Sequence, residues 1–147
     1  MGPMLERLVY ESAATATTGS LVNLVTILAQ SQRNNDRDGL TGALASHRER
    51  YFQVVEGPEQ ALDALMSRLG TDPRHRDIKV LGRAPAPARL FSRWTMASAV
   101  ITPTQGAALD SLVDHDDLTS ERVTRILLDA LEIVQFAEHR EAVGKSA

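Results

Sequence analysis

The 147-residue chain contains no cysteine. That excludes disulfides, thiolate metal sites and cysteine nucleophiles, and it agrees with a cytosolic location. No apolar run approaches the roughly 18 residues of a membrane span, so no membrane partner is expected. The N-terminus lacks a basic stretch followed by an apolar core, so no secretory signal is expected. Met1-Gly2-Pro3 is expected to be an expression remnant, with Met4 the natural start. There is no GxGxxG and no lysine-bearing phosphate loop, so both common nucleotide fingerprints are missing. The four histidines, His47, His75, His115 and His139, show no i, i+4 pairing, and no metal site is expected. The acidic run Asp110, Asp114, Asp116 and Asp117 does not meet calcium-loop spacing and reads as a solvated loop. Ser12 and Ser31 lack a nearby histidine base, which leaves a hydrolase triad without support. A net charge of -3 and a pI near 5.8 argue against nucleic acid as a partner.

What remains is the composition of one globular domain: 43% hydrophobic and 24% charged, without internal repeats or low-complexity linkers. Leu5 to Tyr10 reads as a central strand, with Leu8 and Tyr10 on one face and Val9 on the other. Ser12 to Ser20 reads as a loop ending in a helix cap at Ser20. Leu21, Leu24, Val25 and Leu28 then mark one helical face, from which Ile27 is displaced by about 100°. That helix is expected to run out at Gln32 to Asn35, with Asp36 to Gly39 as a turn.

Strands follow at Leu40 to Ala45 and Tyr51 to Glu56, joined by a turn at His47-Arg48-Glu49. Period-two alternation puts Tyr51, Gln53 and Val55 on one face and Phe52 and Val54 on the other. Pro58 suits the first turn of a second helix carrying Leu62, Leu65, Met66 and Leu69, closed by Asp72-Pro73. Short strands are expected at Ile78 to Leu81 and at Trp94 to Ile101, the latter placing Trp94 and Met96 on one side. Two helices follow, near Pro103 to Val113 and from Thr119, the second presenting Val123, Ile126, Leu127, Ala130 and Val134. The order predicts an α+β fold: a ferredoxin-like βαββαβ sandwich with a fifth strand and two C-terminal cap helices. Those helices either cover the far face of the sheet or supply a dimer interface.

Three amides stand out: Asn34 and Asn35 together, and Gln53 inside an apolar strand. A lone strand tyrosine such as Tyr10 is usually a core residue, and an Asn-Asn pair after a helix is usually a turn. Gln53 is harder to explain that way. Its buried amide has two donors and two acceptor sites, and leaving them unmade costs on the order of 1–3 kcal/mol. A polar partner is therefore expected over that strand.

The segments LVYESAA, ILAQSQRNNDRDGLTGAL, YFQVVEGPEQAL, DPRHRDIKVL and FSRWTMA, in this order and spacing, closely resemble the BLUF domain. The resemblance runs from residue 5 to about 101 and implies a blue-light photoreceptor, not an enzyme, with FAD bound non-covalently (FMN or riboflavin being alternatives). It implies a flavin ring between the two sandwich helices, with Ile27 on one side and Leu69 on the other. Asn35, Asn34 and Arg68 then fall at the ring's polar edge, with Ser31, Asp72 and His75 among the further cofactor contacts. Tyr10 and Gln53 fall on the family's photochemical pair: the excited flavin draws an electron and a proton from the tyrosine through the glutamine, whose amide ends rotated or tautomerised. Trp94 and Met96 match the family's output pair. Residues 102–147 are then expected to be a helical cap, oligomerisation and output segment of a short sensor-only protein. It is expected to be cytoplasmic, to form a homo-oligomer through the sheet or the C-terminal helices, and to signal to a separate protein effector. Two other readings stay open: a ferredoxin-like binding or oligomerisation module without chromophore, and an acylphosphatase-like hydrolase using Arg68 and Asn35.

Overall fold

A computed structural model describes residues 5–14, 21–71, 75–92 and 94–131. Its elements are β1 (Leu5–Ala14), α1 (Leu21–Asp38), β2 (Thr41–His47), β3 (Arg50–Pro58), α2 (Glu59–Leu69), β4 (His75–Pro85), β5 (Ala97–Ser98), α3 (Pro103–Asp114) and α4 (120–131). The five strands form one sheet in the order β4-β1-β3-β2-β5. β1 is flanked on both sides by antiparallel neighbours, whereas β5 joins β2 in parallel. This is the expected ferredoxin-like α+β sandwich, and its fifth strand lies at the edge beside β2. No helix among the described residues is long and apolar enough to cross a membrane.

Period-two alternation sorts the strand side chains onto two faces. Leu8, Tyr10, Tyr51 and Val55 are buried on one face together with Ile27 of α1 and Leu62 and Leu69 of α2. Val9, Phe52 and Val54 are buried on the other with Leu109 of α3 and Val123, Leu127 and Ala130 of α4. The C-terminal helices therefore cover the far face of the sheet. Val134, placed on the same stripe by its spacing, lies outside the described residues.

Several boundaries differ from expectation for local physical reasons. β1 runs on to Ala14, because Ser12 pairs with Tyr51 and is buried at 1% exposure. Ser20, the expected helix cap, lies outside the described residues. α1 continues to Asp38 and closes on Gly39, whose φ of 72° supplies the left-handed residue of a helix-ending motif. The Leu40 N–H reaches back to the Asn35 carbonyl at 2.8 Å, satisfying an orphan acceptor of the last turn. Asn34 and Asn35 are thus helical and not part of a turn. β4 spans His75–Pro85 and carries an extra residue at two places against β1, between Val9 and Tyr10 and between Glu11 and Ala13. Asp77 adopts φ 52° beside the second irregularity.

The hairpin between β2 and β3 turns on Arg48 (φ 49°) and Glu49 (φ 63°), the two left-handed residues of a type I′ loop. α3 begins with a reciprocal cap: Thr102 Oγ1 accepts from the Gln105 N–H, and Gln105 Oε1 accepts from the Thr102 N–H. Such a cap contributes about 1 kcal/mol. α4 starts on the backbone of β4. A Cβ at Gly82 would lie 2.7 Å from Ser120 Oγ, so only glycine lets the helix approach this closely.

Candidate functional site

Tyr10 and Gln53 are direct partners in the β1–β3 register, with both side chains on the face toward α1 and α2. Antiparallel neighbours on one face are close enough for side-chain bonding. The Tyr10 hydroxyl donates to Gln53 Oε1 at 2.5 Å, and the two residues are 0% and 3% exposed. The polar partner that Gln53 required is therefore in part Tyr10. With the amide oxygen turned toward the phenol, Gln53 Nε2 is the donor end of the pair.

Helix α1 brings the other predicted groups to the same side. Ile27 is buried among Tyr10, Leu44 and Leu62, while Leu28 is only partly buried; the residue displaced from the sequence stripe is the deeper of the two. Asn35 is 1% exposed and donates through Nδ2 to the Thr95 carbonyl at 2.5 Å. Ser31 and Asn34 are half-buried on the same helix. Leu69 closes the cluster from α2.

Arg68, one residue earlier, places Nη2 3.3 Å from Asp38 Oδ2 at the end of α1. Beyond that ion pair, the buried Nη2 has no hydrogen-bond partner among the described residues. The hydrogen bond from Arg37 holds the Asp38 carboxyl below the usual carboxylate range; the Arg37 and Arg68 charges add to this, while burial opposes it. Asp72 lies outside the described residues. His75 opens β4, but its side chain is outside them too.

Trp94 and Met96 do not share a face, contrary to the expectation from strand alternation. Met96 is 3% exposed and buried with Tyr10, Ile27 and Leu44, whereas Trp94 packs on the opposite side against Phe91, ring centroids 6.5 Å apart. The reason is that residues 94–96 are not strand. The Trp94 carbonyl accepts from the Gly42 N–H at 3.0 Å, Thr95's from Asn35 and Met96's from Gln32 Nε2 at 3.0 Å, so the ladder is limited to Ala97–Ser98. Alternation applies only where a ladder holds the pleat.

Gln32 was not singled out by its sequence position; on an exposed helix surface nothing local distinguishes it. Glu56 was also passed over. It is 0% exposed and accepts from Arg7 Nε, the Leu90 N–H and the Phe91 N–H at 2.8–2.9 Å, partners that lie 34 to 49 residues away in the chain.

A buried phenol–amide pair, a buried asparagine and a buried guanidinium nitrogen, walled by Ile27 and Leu69, suit a flat group with a hydrogen-bonding edge. Arg68 Nη2, held among the described residues by the Asp38 ion pair alone, is the observation that tests this fit, since a ring carbonyl would supply a further acceptor. The arrangement is that of a small-molecule site built on an α+β sandwich. The comparisons with known proteins define which kind. The model of the family "BLUF: Sensors of blue-light using FAD" matches residues 5–97, and the chain belongs to that family. The photoactivated adenylate cyclase subunit beta of Euglena gracilis is 35% identical over 96 residues, which is 65% of this chain and 11% of that protein. The chain thus spans about a tenth of the length of that curated relative. Among solved structures, the dark state of BlrB, a BLUF protein, superposes with a TM-score of 0.71 at 27% identity, covering 89% of this chain and 97% of that one. A bacterial light-regulated adenylyl cyclase superposes at 0.70 and 29% identity, covering 77% of this chain and 35% of that one.

Proposed function

We propose that the chain is a blue-light switch in which Tyr10 and Gln53 form the photochemical pair and FAD is the chromophore. The single observation that carries this is the buried Tyr10–Gln53 hydrogen bond on the helix-covered face. Ile27 and Leu69 would flank the ring, Asn35 and Asn34 would meet its imide edge, and Arg68 Nη2 a carbonyl. Ser31, Asp72 and His75 would contact the cofactor further out. Bound flavin supplies blue-light absorption and an excited state able to accept an electron. The phenol of Tyr10 can release an electron and a proton, and Gln53 Oε1 is placed to receive that proton. Rotation or tautomerisation of the Gln53 amide then exchanges which end donates and which accepts, so the pair retains a new hydrogen-bond pattern.

The output runs through residues 94–98, which touch Asn35 and Gln32 on one side and the α3–α4 side through Trp94. A hydrogen-bond change has an output only if it biases a two-state element, and this segment with α3 and α4 is that element. Residues 5–101 thus act as the photosensory unit and 102–147 as cap and output. The chain is a sensor without enzymatic activity of its own, cytoplasmic, and acts through a homo-oligomer or a separate effector contacted by the C-terminal helices. The cyclase relatives support the last point, since there the similar region is a small part of a longer effector protein.

Purified protein should carry a yellow flavin spectrum that shifts slightly to the red under blue light. Tyr10→Phe should bind flavin and lose the shift. A colourless wild-type protein, or a shift that survives Tyr10→Phe, overturns the reading.

A further inference from the structure

The segment that joins β4 to β5 is held very differently at its two ends. At its base, the carboxylate of Glu56 accepts from Leu90 N–H at 2.9 Å, Phe91 N–H at 2.8 Å and Arg7 Nε at 2.9 Å. Arg7 also donates through Nη2 to the Ala88 carbonyl at 3.1 Å. Arg89 spreads over three acceptors: Thr41 Oγ1 at 2.9 Å, the Glu56 carbonyl at 3.0 Å and the Gly39 carbonyl at 2.8 Å. Residues 88–91 are therefore tied to the end of α1, to β2 and to β3 through charged groups, whose hydrogen bonds are roughly twice as strong as neutral ones. Further along, the carbonyls of Trp94, Thr95 and Met96 each accept one neutral bond, from Gly42, Asn35 and Gln32, and the Trp94 N–H donates to the Phe91 carbonyl at 3.2 Å, which links this stretch to the base.

Glu56 lies three residues beyond Gln53 on β3 and takes part in none of the chemistry assigned to the flavin face. Its placement nevertheless decides where a change at Gln53 can be expressed. We propose that Glu56 is a positioning residue for the light output: its carboxylate fixes the base of the 90–98 segment, so that the response is confined to Trp94–Ala97 and passed to α3 and α4. This rests on the photoreceptor reading above. A fixed base and a yielding middle make a hinge, whereas a segment loose at both ends would absorb the change without transmitting it.

Glu56→Gln tests this. The amide keeps one acceptor oxygen and turns an NH2 group toward donors, so the three-donor arrangement cannot be kept. Hydrogen–deuterium exchange of the flavin-loaded full chain, dark and illuminated, is measured over residues 86–92 and 94–101, alongside the absorption shift. In the wild type, illumination should change exchange in 94–101 and leave 86–92 unchanged. In Glu56→Gln the red shift should remain, dark exchange at Leu90 and Phe91 should rise, and the light-minus-dark difference at 94–101 should fall several-fold. A purely structural role would raise dark exchange without reducing that difference, and this outcome overturns the proposal. So does a wild-type protein that shifts its spectrum with no light-dependent exchange at 94–101. A wild type with no red shift overturns the photoreceptor reading instead. Should Glu56→Gln not fold, Arg7→Gln, which removes the ion pair that orients the Glu56 carboxylate and the bond to the Ala88 carbonyl, should reduce the same light-minus-dark difference. An unchanged difference there overturns the proposal.

Discussion

Both faces of the sheet are closed by a pair of helices, but they are filled with different chemistry. Toward α1 and α2, the apolar cluster includes Tyr10, which is bonded to the buried Gln53, and Asn35 and Arg68 lie on the same helices. Toward α3 and α4 the cluster is aliphatic and aromatic, and its buried polar neighbours Glu11, Glu56 and Thr124 are bonded to Arg50, to Arg7 and the 90–91 backbone, and to the Ser120 carbonyl, not to a site. An apolar face contributes stability through area and packing and tolerates little else. A face with buried amides gives up some of that in exchange for groups that can rearrange, because hydrogen bonds have alternative partners where methyl contacts do not. The sheet separates a reactive layer from a supporting one.

Substitutions on the two faces should accordingly fail in different ways. The largest effect is expected from Gln53→Leu, which should abolish the light-induced red shift, measured as a dark-minus-light difference spectrum. Its cost in stability should be about 1–3 kcal/mol, because the buried Tyr10 hydroxyl loses this acceptor. A difference spectrum of wild-type size would remove the functional distinction between the faces. Leu127→Ala on the far face should do the reverse. Deleting a fully buried leucine from packed surroundings costs about 2–5 kcal/mol, so the melting temperature should fall by many degrees while folded protein keeps its red shift. Loss of the shift at a temperature where the variant is folded would show the two layers to be coupled more tightly than their contents suggest.

The smallest effect concerns Asp38 at the rim. Its folded-state pKa is depressed, so its contribution to stability is present above the ordinary carboxylate range and is lost as pH falls through the depressed folded value. Asp38→Asn should therefore lower the melting temperature slightly near neutral pH, and the gap from wild type should close as pH drops below about 4. A gap that persists at low pH would assign the effect to packing.

Strand faces were legible in the sequence because alternation is a local rule: Leu8 and Tyr10 against Val9, and Gln53 against Phe52 and Val54, fall where parity puts them. The demand for a partner at Gln53 was legible for the same reason. The end of α1 was not, since the run from Asn34 to Gly39 has turn-like composition, yet only Gly39 leaves the helix. The sidedness of Trp94 and Met96 was hidden because side chains of α1, about sixty residues earlier, take the carbonyls of Thr95 and Met96 that a ladder would have used. Glu56 reads as an ordinary polar residue near a strand end, and only its distant donors reveal it as buried. For Trp94, Met96 and Glu56, what sequence withheld was a long-range hydrogen bond.

The close approach at Gly82 has a mechanical side. Helix α4 sets its first residue, Ser120, directly on strand backbone, while its apolar side chains further along meet other side chains of the core. The backbone contact at Ser120 is thus the point about which the helix would pivot. The 12 described residues of α4 span about 18 Å, so a tilt of about 3° at Ser120 displaces the other end by about 1 Å. Any tilt about Ser120 is therefore felt most at the far end of the described helix, where Leu131 packs.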